Sequence, residues 1–180
     1  MVSAVVELAA ADHAAVLAHL LPVEPEAEEA AFLFATSAVD AGRLQLRVIE
    51  KYFVKPEEFN IRTLGHLELR ADVHERMIRT AHDMNAVLIE THSHPYHFES
   101  AACFSPSDLA GLAQVVPHVM FRLPQRPYAA IVVAPAGFDA LIWTEPGGRA
   151  RTIDAVLVGG KRMLPTGYTS SRGWRTHGPV

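Results

Sequence analysis

"VLIETHSHPYHFESAACFSPSD", residues 87–108, gives opposite structural instructions at its two ends. Val87, Leu88 and Ile89 are an apolar, partly β-branched run that reads as a buried strand, continuing through His94 and stopped by Pro95. Ser105-Pro106-Ser107-Asp108 reads as the start of a helix. Ser105 is the N-cap, Pro106 the first helical residue, and Asp108 stands where a capping box places its acid. Residues i and i+2 of a strand share a face, so His92 and His94 project together while Ser93 points away. Pro95 keeps His94 extended, because proline pushes its predecessor out of the helical region.

The pattern continues on both sides. "ADVHERMIRTAHDMNA", just before the strand, predicts a helix with Val73, Met77, Thr80, Ala81 and Met84 as its inner stripe and Asp72 as its cap. "SPSDLAGLAQVV" predicts a second helix, with Pro117 near its end. "YAAIVVAP" and "FDALIWTE" read as two strands around a tight turn at Gly137, and "RTIDAVLV" as a last strand. Nearer the N-terminus, "MVSAVVEL" reads as a strand and "ADHAAVLAHLL" as a helix capped by Asp12. "AAFLFATSAV" reads as a buried strand after the Pro- and Glu-rich connection "LPVEPEAEE". In "RLQLRVIEKYFV", Leu44, Leu46 and Val48 share one strand face, and "GHLELR" adds a further strand. The expected fold is a single α/β domain over residues 1–158, a mixed, largely antiparallel sheet flanked by two to three helices. A basic, irregular tail is expected over 159–180, carrying Lys161, Arg162, Arg172 and Arg175.

Composition narrows the function. The 180 residues suit one core, and 49% hydrophobic with 20% charged residues is ordinary for a globular domain. A formal charge of −4 argues against a nucleic-acid binder. The single cysteine, Cys103, excludes an internal disulfide framework. The apolar N-terminus has no basic flank and is interrupted by Asp12, His13 and His19, which reads as neither a signal peptide nor a membrane span. A cytoplasmic protein is expected.

Two imidazoles on one strand face suit a borderline-soft divalent ion such as Zn²⁺, or they are simply a pair of half-exposed strand histidines. Asp108, on the first turn of a helix, supplies a rigid third ligand, or it only caps that helix. His92, His94 and Asp108 together would leave a fourth position open, as catalytic zinc sites do. Ser105 lies one helical turn before Asp108 and could donate to an oxyanion. For the general base, spacing points first to Glu90, on the same strand face as the histidines, and second to Glu99 in the following loop.

"HSHP" followed by "SPSD" resembles the signature of the JAMM (MPN+, prokaryotic JAB) zinc metallopeptidases, His-x-His-Pro, a spacer, then Ser-x-x-Asp. The resemblance implies a cytidine-deaminase-like domain with Zn²⁺ on His92, His94 and Asp108, and with Ser105 assisting the oxyanion. The family's general base is an upstream Glu at the start of a strand. "EEAAFLFA" matches from Glu28, with Ala31 and Ala35 at the small positions, and Glu29 is the second choice. The implied reaction is attack of metal-activated water on the amide bond at the C-terminus of a ubiquitin-like protein, as deconjugation or precursor processing. The implied partners are that protein or its conjugates, and activating-like and conjugating-like enzymes encoded nearby. Two alternatives stand beside it: trimming of a sulfur-carrier protein in cysteine or cofactor synthesis, and a non-catalytic scaffold. The spacer between His94 and Ser105 is longer than the family's usual one, and alanines replace its glycines after the Glu.

A cupin site would use His92, His94 and Glu99, but Ala86 and Pro106 stand where its glycines belong. His97 and Cys103, in the spacer, are secondary candidates for the fourth coordination position. His66, His74, His82 and His118 have no partner pattern and are expected to be structural or surface residues.

Overall fold

The computed structural model describes residues 3–96 and 101–171, so His97, Glu99, Arg172 and Arg175 lie outside the described residues. The chain begins with β1 (Ser3–Leu8) and α1 (Ala10–Leu20), then forms the long hairpin β2 (Ala30–Asp40) and β3 (Arg43–Phe53). A short 3₁₀ turn leads into β4 (Phe59–Arg62) and β5 (Leu67–Leu69), followed by α2 (Ala71–Asp83), β6 (Val87–Ser93) and α3 (Pro106–Arg122). The remainder is β7 (Tyr128–Ala134), β8 (Gly137–Trp143), β9 (Arg151–Thr152), β10 (Ala155–Val158), β11 (Lys161–Met163) and the single turn α4 (Tyr168–Ser171).

Nine strands form one sheet in the order β11-β10-β1-β3-β2-β6-β7-β8-β9. The pairs β1–β10, β1–β3 and β6–β7 are parallel and the others antiparallel, so the sheet is mixed and mostly antiparallel. β4 and β5 pair separately as a two-stranded hairpin. The domain is thus mixed α/β, with four helices among the described residues rather than the expected two to three.

Residues 30–35 of β2, 87–89 of β6 and the whole of β7 are apolar runs because both of their faces are covered. Ala30, Phe32 and Phe34 of β2 pack with Leu88, Val132 and Trp143 under α2 and α3. Ala31, Leu33 and Ala35 point the other way, to Leu46, Ile89 and Ile131 under α1. Phe32 is fully buried; burial of such a side chain stabilises the fold by about 1.5–3 kcal/mol.

Several local expectations are corrected. Asp12 does not cap α1, whose N-cap is Ala9; it pairs with Lys51 Nζ at 2.6 Å. Asp72 does not cap α2, whose N-cap is Arg70; it bonds the Arg70 guanidinium at 2.9 Å. The buried stripe of α2 is Val73, Met77, Ile78 and Ala81, and Met84 is exposed. α2 ends before Met84 completes another turn, and Asn85 reverses the chain at φ 52°. Asn tolerates that left-handed conformation better than most residues. Pro117 sits inside α3, which runs on to Arg122. "RTIDAVLV" is split between β9 and β10, and the segment from Gly159, expected to be irregular, holds β11 and α4. Among the described residues no helix is long and apolar enough to cross a membrane.

Candidate metal centre

Two strands and one helix start bring the site together. β6 carries His92, and His94 follows immediately, its amide still bonded to the Val133 carbonyl at 2.8 Å. The two rings share a face as the strand period requires, with centroids 5.0 Å apart. β2 and β6 pair antiparallel with Ala30 opposite His92. Continuing that register one residue at a time places Glu29 opposite Ser93 and Glu28 opposite His94. Opposed residues of an antiparallel pair put their side chains on the same face. Glu28 Oε1 accordingly lies 3.8 Å from His94 Nε2.

The end of this ladder is pinned twice. The Ser93 amide donates to the Glu29 carbonyl at 2.9 Å, and the Glu29 amide donates to Ser93 Oγ at 2.9 Å. The Glu28 amide donates to the Thr63 carbonyl at 2.8 Å, which ties the segment to the β4–β5 turn. The Glu29 carboxylate is engaged by the Arg62 guanidinium.

α3 supplies the third residue of the group. Ser105 Oγ accepts from the Asp108 amide at 3.2 Å and Asp108 Oδ2 accepts from the Ser105 amide at 2.6 Å, the reciprocal capping box anticipated from sequence. The same Oδ2 lies 3.4 Å from His92 Nε2 and 3.3 Å from His94 Nε2. The cap therefore aims the carboxylate at both imidazoles.

The donor atoms of His92, His94 and Asp108 all lie within 4.8 Å of one another. Tetrahedral ligands at about 2.0–2.1 Å from an ion stand about 3.3–3.4 Å apart, close to the carboxylate–imidazole distances here. His92 Nε2 is buried and has no hydrogen-bond partner. A buried orphan nitrogen facing a carboxylate in this way fits a metal ion. His92, His94 and Glu28 are each less than a tenth exposed.

The electrostatics agree. Burial pushes the Asp108 carboxyl up, but the His92 and His94 imidazoles facing it at 3.4 and 3.3 Å, with the Ser105 amide, hold it well below the usual carboxylate range. Burial disfavours a charged His92, yet Asp108, followed by Glu28 and Glu90, keeps its imidazole above the ordinary 6.5. Burial raises the Glu28 carboxyl above 4.5 against the pull of His94 and His92. A carboxylate so placed is suited to accept and return a proton.

A cleft of about 340 Å³ leads away from the ligands, bordered by Asp108, His92, Glu90, His74 and the 66–69 segment. Glu90 is not a free base: Glu90 Oε2 is 3.1 Å from His74 Nε2 and accepts from the Tyr128 hydroxyl at 2.7 Å. His74 thus has a specific partner that its spacing did not show, and both it and His66 line the cleft. Cys103 is not among the gathered ligand atoms. Beside it, Phe104 packs against His92 with ring centroids 5.9 Å apart, and its amide donates to Thr169 Oγ1 at 3.0 Å. Sequence spacing did not reveal Ser93, Thr63, Arg62, His74 or Tyr128 as supporting residues, because their partners are remote in the chain. No model of a known protein family matches the chain, and neither does any curated protein.

Proposed function

We propose that the chain is a zinc-dependent hydrolase that cuts the amide bond at the C-terminus of a ubiquitin-like protein, either an isopeptide or a peptide extension. The observation that carries the hydrolytic reading is the placement of Glu28 opposite His94, beside the His92–His94–Asp108 group. The substrate class rests on the resemblance of "HSHP", "SPSD" and "EEAAFLFA" to the JAMM signature.

Bound zinc would supply Lewis acidity, acidifying water and polarising the scissile carbonyl. Glu28 takes the proton of the attacking water on its carboxylate, which its raised pKa favours, and returns it to the more basic departing amine. Ser105 Oγ accepts from the Asp108 amide, and its own proton is left for Ser107 Oγ, 2.9 Å away, or for the substrate oxyanion. His92 and His94 hold their positions through the sheet, and Asp108 through the helix cap.

The test is cleavage of ubiquitin-like proteins encoded beside the gene, each carrying a C-terminal peptide or lysine-linked extension. The wild-type protein should release the extension, lose that activity to a chelator and regain it with added zinc. Absence of cleavage on every such substrate, or activity indifferent to chelation, would overturn the proposal.

A further inference from the structure

Thr91 immediately precedes His92 but faces the opposite side of the sheet, where a cavity of about 250 Å³ lies between α1 and the strands. Leu8, Val16, Leu33, Ile131 and Phe138 supply much of its wall, and among the described residues no Lys, Arg, Asp or Glu lines it. Thr91 is 1% exposed, and its Oγ1 has no hydrogen-bond partner. An unsatisfied hydroxyl in such a wall costs about 1–3 kcal/mol, which a ligand oxygen would recover. Among the described residues His13 is the other polar side chain of the lining, and burial lowers its imidazole below the ordinary 6.5, which disfavours its charged form.

We propose that this cavity binds a small uncharged amphiphile, a ring or short chain bearing one hydroxyl or carbonyl oxygen that hydrogen-bonds Thr91 Oγ1. The size fits: an apolar cavity of about 150 Å³ takes a benzene ring, so this one takes a substituted ring or a chain of similar bulk. The lining selects against anions, because a carboxylate or phosphate would enter without a cation to pair with it. The site opens on the face of the sheet away from His92 and His94, so occupancy does not depend on the metal reading.

The test uses 1-heptanol as the probe, titrated into the full-length protein by calorimetry, with heptanoate as the charged comparison. Heptanol should bind saturably and heptanoate about tenfold more weakly or not at all. Thr91→Val, nearly isosteric, removes only the hydroxyl and should weaken heptanol about fivefold. Leu17→Trp, from the half-buried side of α1, should fill the cavity and abolish binding while the melting temperature confirms a folded protein. No saturable heptanol binding to the wild type, equal binding of heptanoate, or binding indifferent to both substitutions would overturn the proposal.

Discussion

Glu28 stands across from His94 at the end of the β2–β6 ladder, with Oε1 3.8 Å from Nε2. The adjacent Glu29 is directed elsewhere and pairs with Arg62. Glu28→Gln should therefore lower the hydrolytic rate by about 10²–10⁴-fold, the usual contribution of a positioned general base, while zinc stays bound. Glu29→Gln should leave the rate within a few-fold of wild type and lower only stability. Rate measurements on the two variants, with zinc content as control, decide the assignment; the reverse pattern would make Glu29 the base.

Ser93 fixes the register that presents Glu28. Ser93→Ala removes the acceptor for the Glu29 amide and leaves the Ser93 amide bond intact. The stability loss should be about 1 kcal/mol, a drop of about 2–4 °C in melting temperature. The rate should fall by about tenfold or more through misplacement of Glu28. Unchanged zinc stoichiometry would separate this effect from loss of the ligands.

Asp108 combines two roles that substitution can separate. Asn keeps an oxygen for the Ser105 amide but loses the charge, whereas Ala loses both. Both variants should weaken zinc binding by more than about a hundredfold, beyond the usual effect of losing an outer-shell partner. With chelator present, Asp108→Ala should melt about 2–4 °C below Asp108→Asn, because only Ala breaks the capping box. Thermal denaturation beside competitive zinc titration reads the two effects separately.

Away from the site, Glu58 offers a pH test. Burial raises its carboxyl, but the Lys55 amide at 2.8 Å, the Tyr52 hydroxyl and the Arg76 guanidinium outweigh that and bring it below its ordinary 4.5. A depressed folded-state pKa contributes stability that is present above the unfolded value and lost as pH falls through the folded one. Glu58→Gln should therefore melt about 2–4 °C below wild type at pH 7. The gap should close as the pH drops below 4.5. A gap that persists or widens in acid would contradict the assignment.

What the sequence made legible was local. The start of α3 could be read from Ser105, Pro106 and Asp108 because the capping box closes within three residues. The shared face of His92 and His94 followed from the strand period alone. The position of Glu28 depended instead on which strand pairs with β6 and in what register, information carried by contacts far apart in the chain. For that residue, only the family resemblance drew attention to the segment that lies beside His94; spacing favoured Glu90. The partners of Glu90, His74 and Tyr128, lie on α2 and β7, out of reach of a spacing argument within β6. β4 and β11 are too short to carry a period, and their pairing comes from neighbouring strands.

The central claim is that His92, His94 and Asp108 form a zinc site. Elemental analysis of protein purified without chelators tests it most directly. The account predicts about one equivalent of zinc per chain, lost when His94→Ala and Asp108→Asn are combined. A metal-free wild-type protein that takes up no added zinc, or a double variant that retains it, would contradict the account.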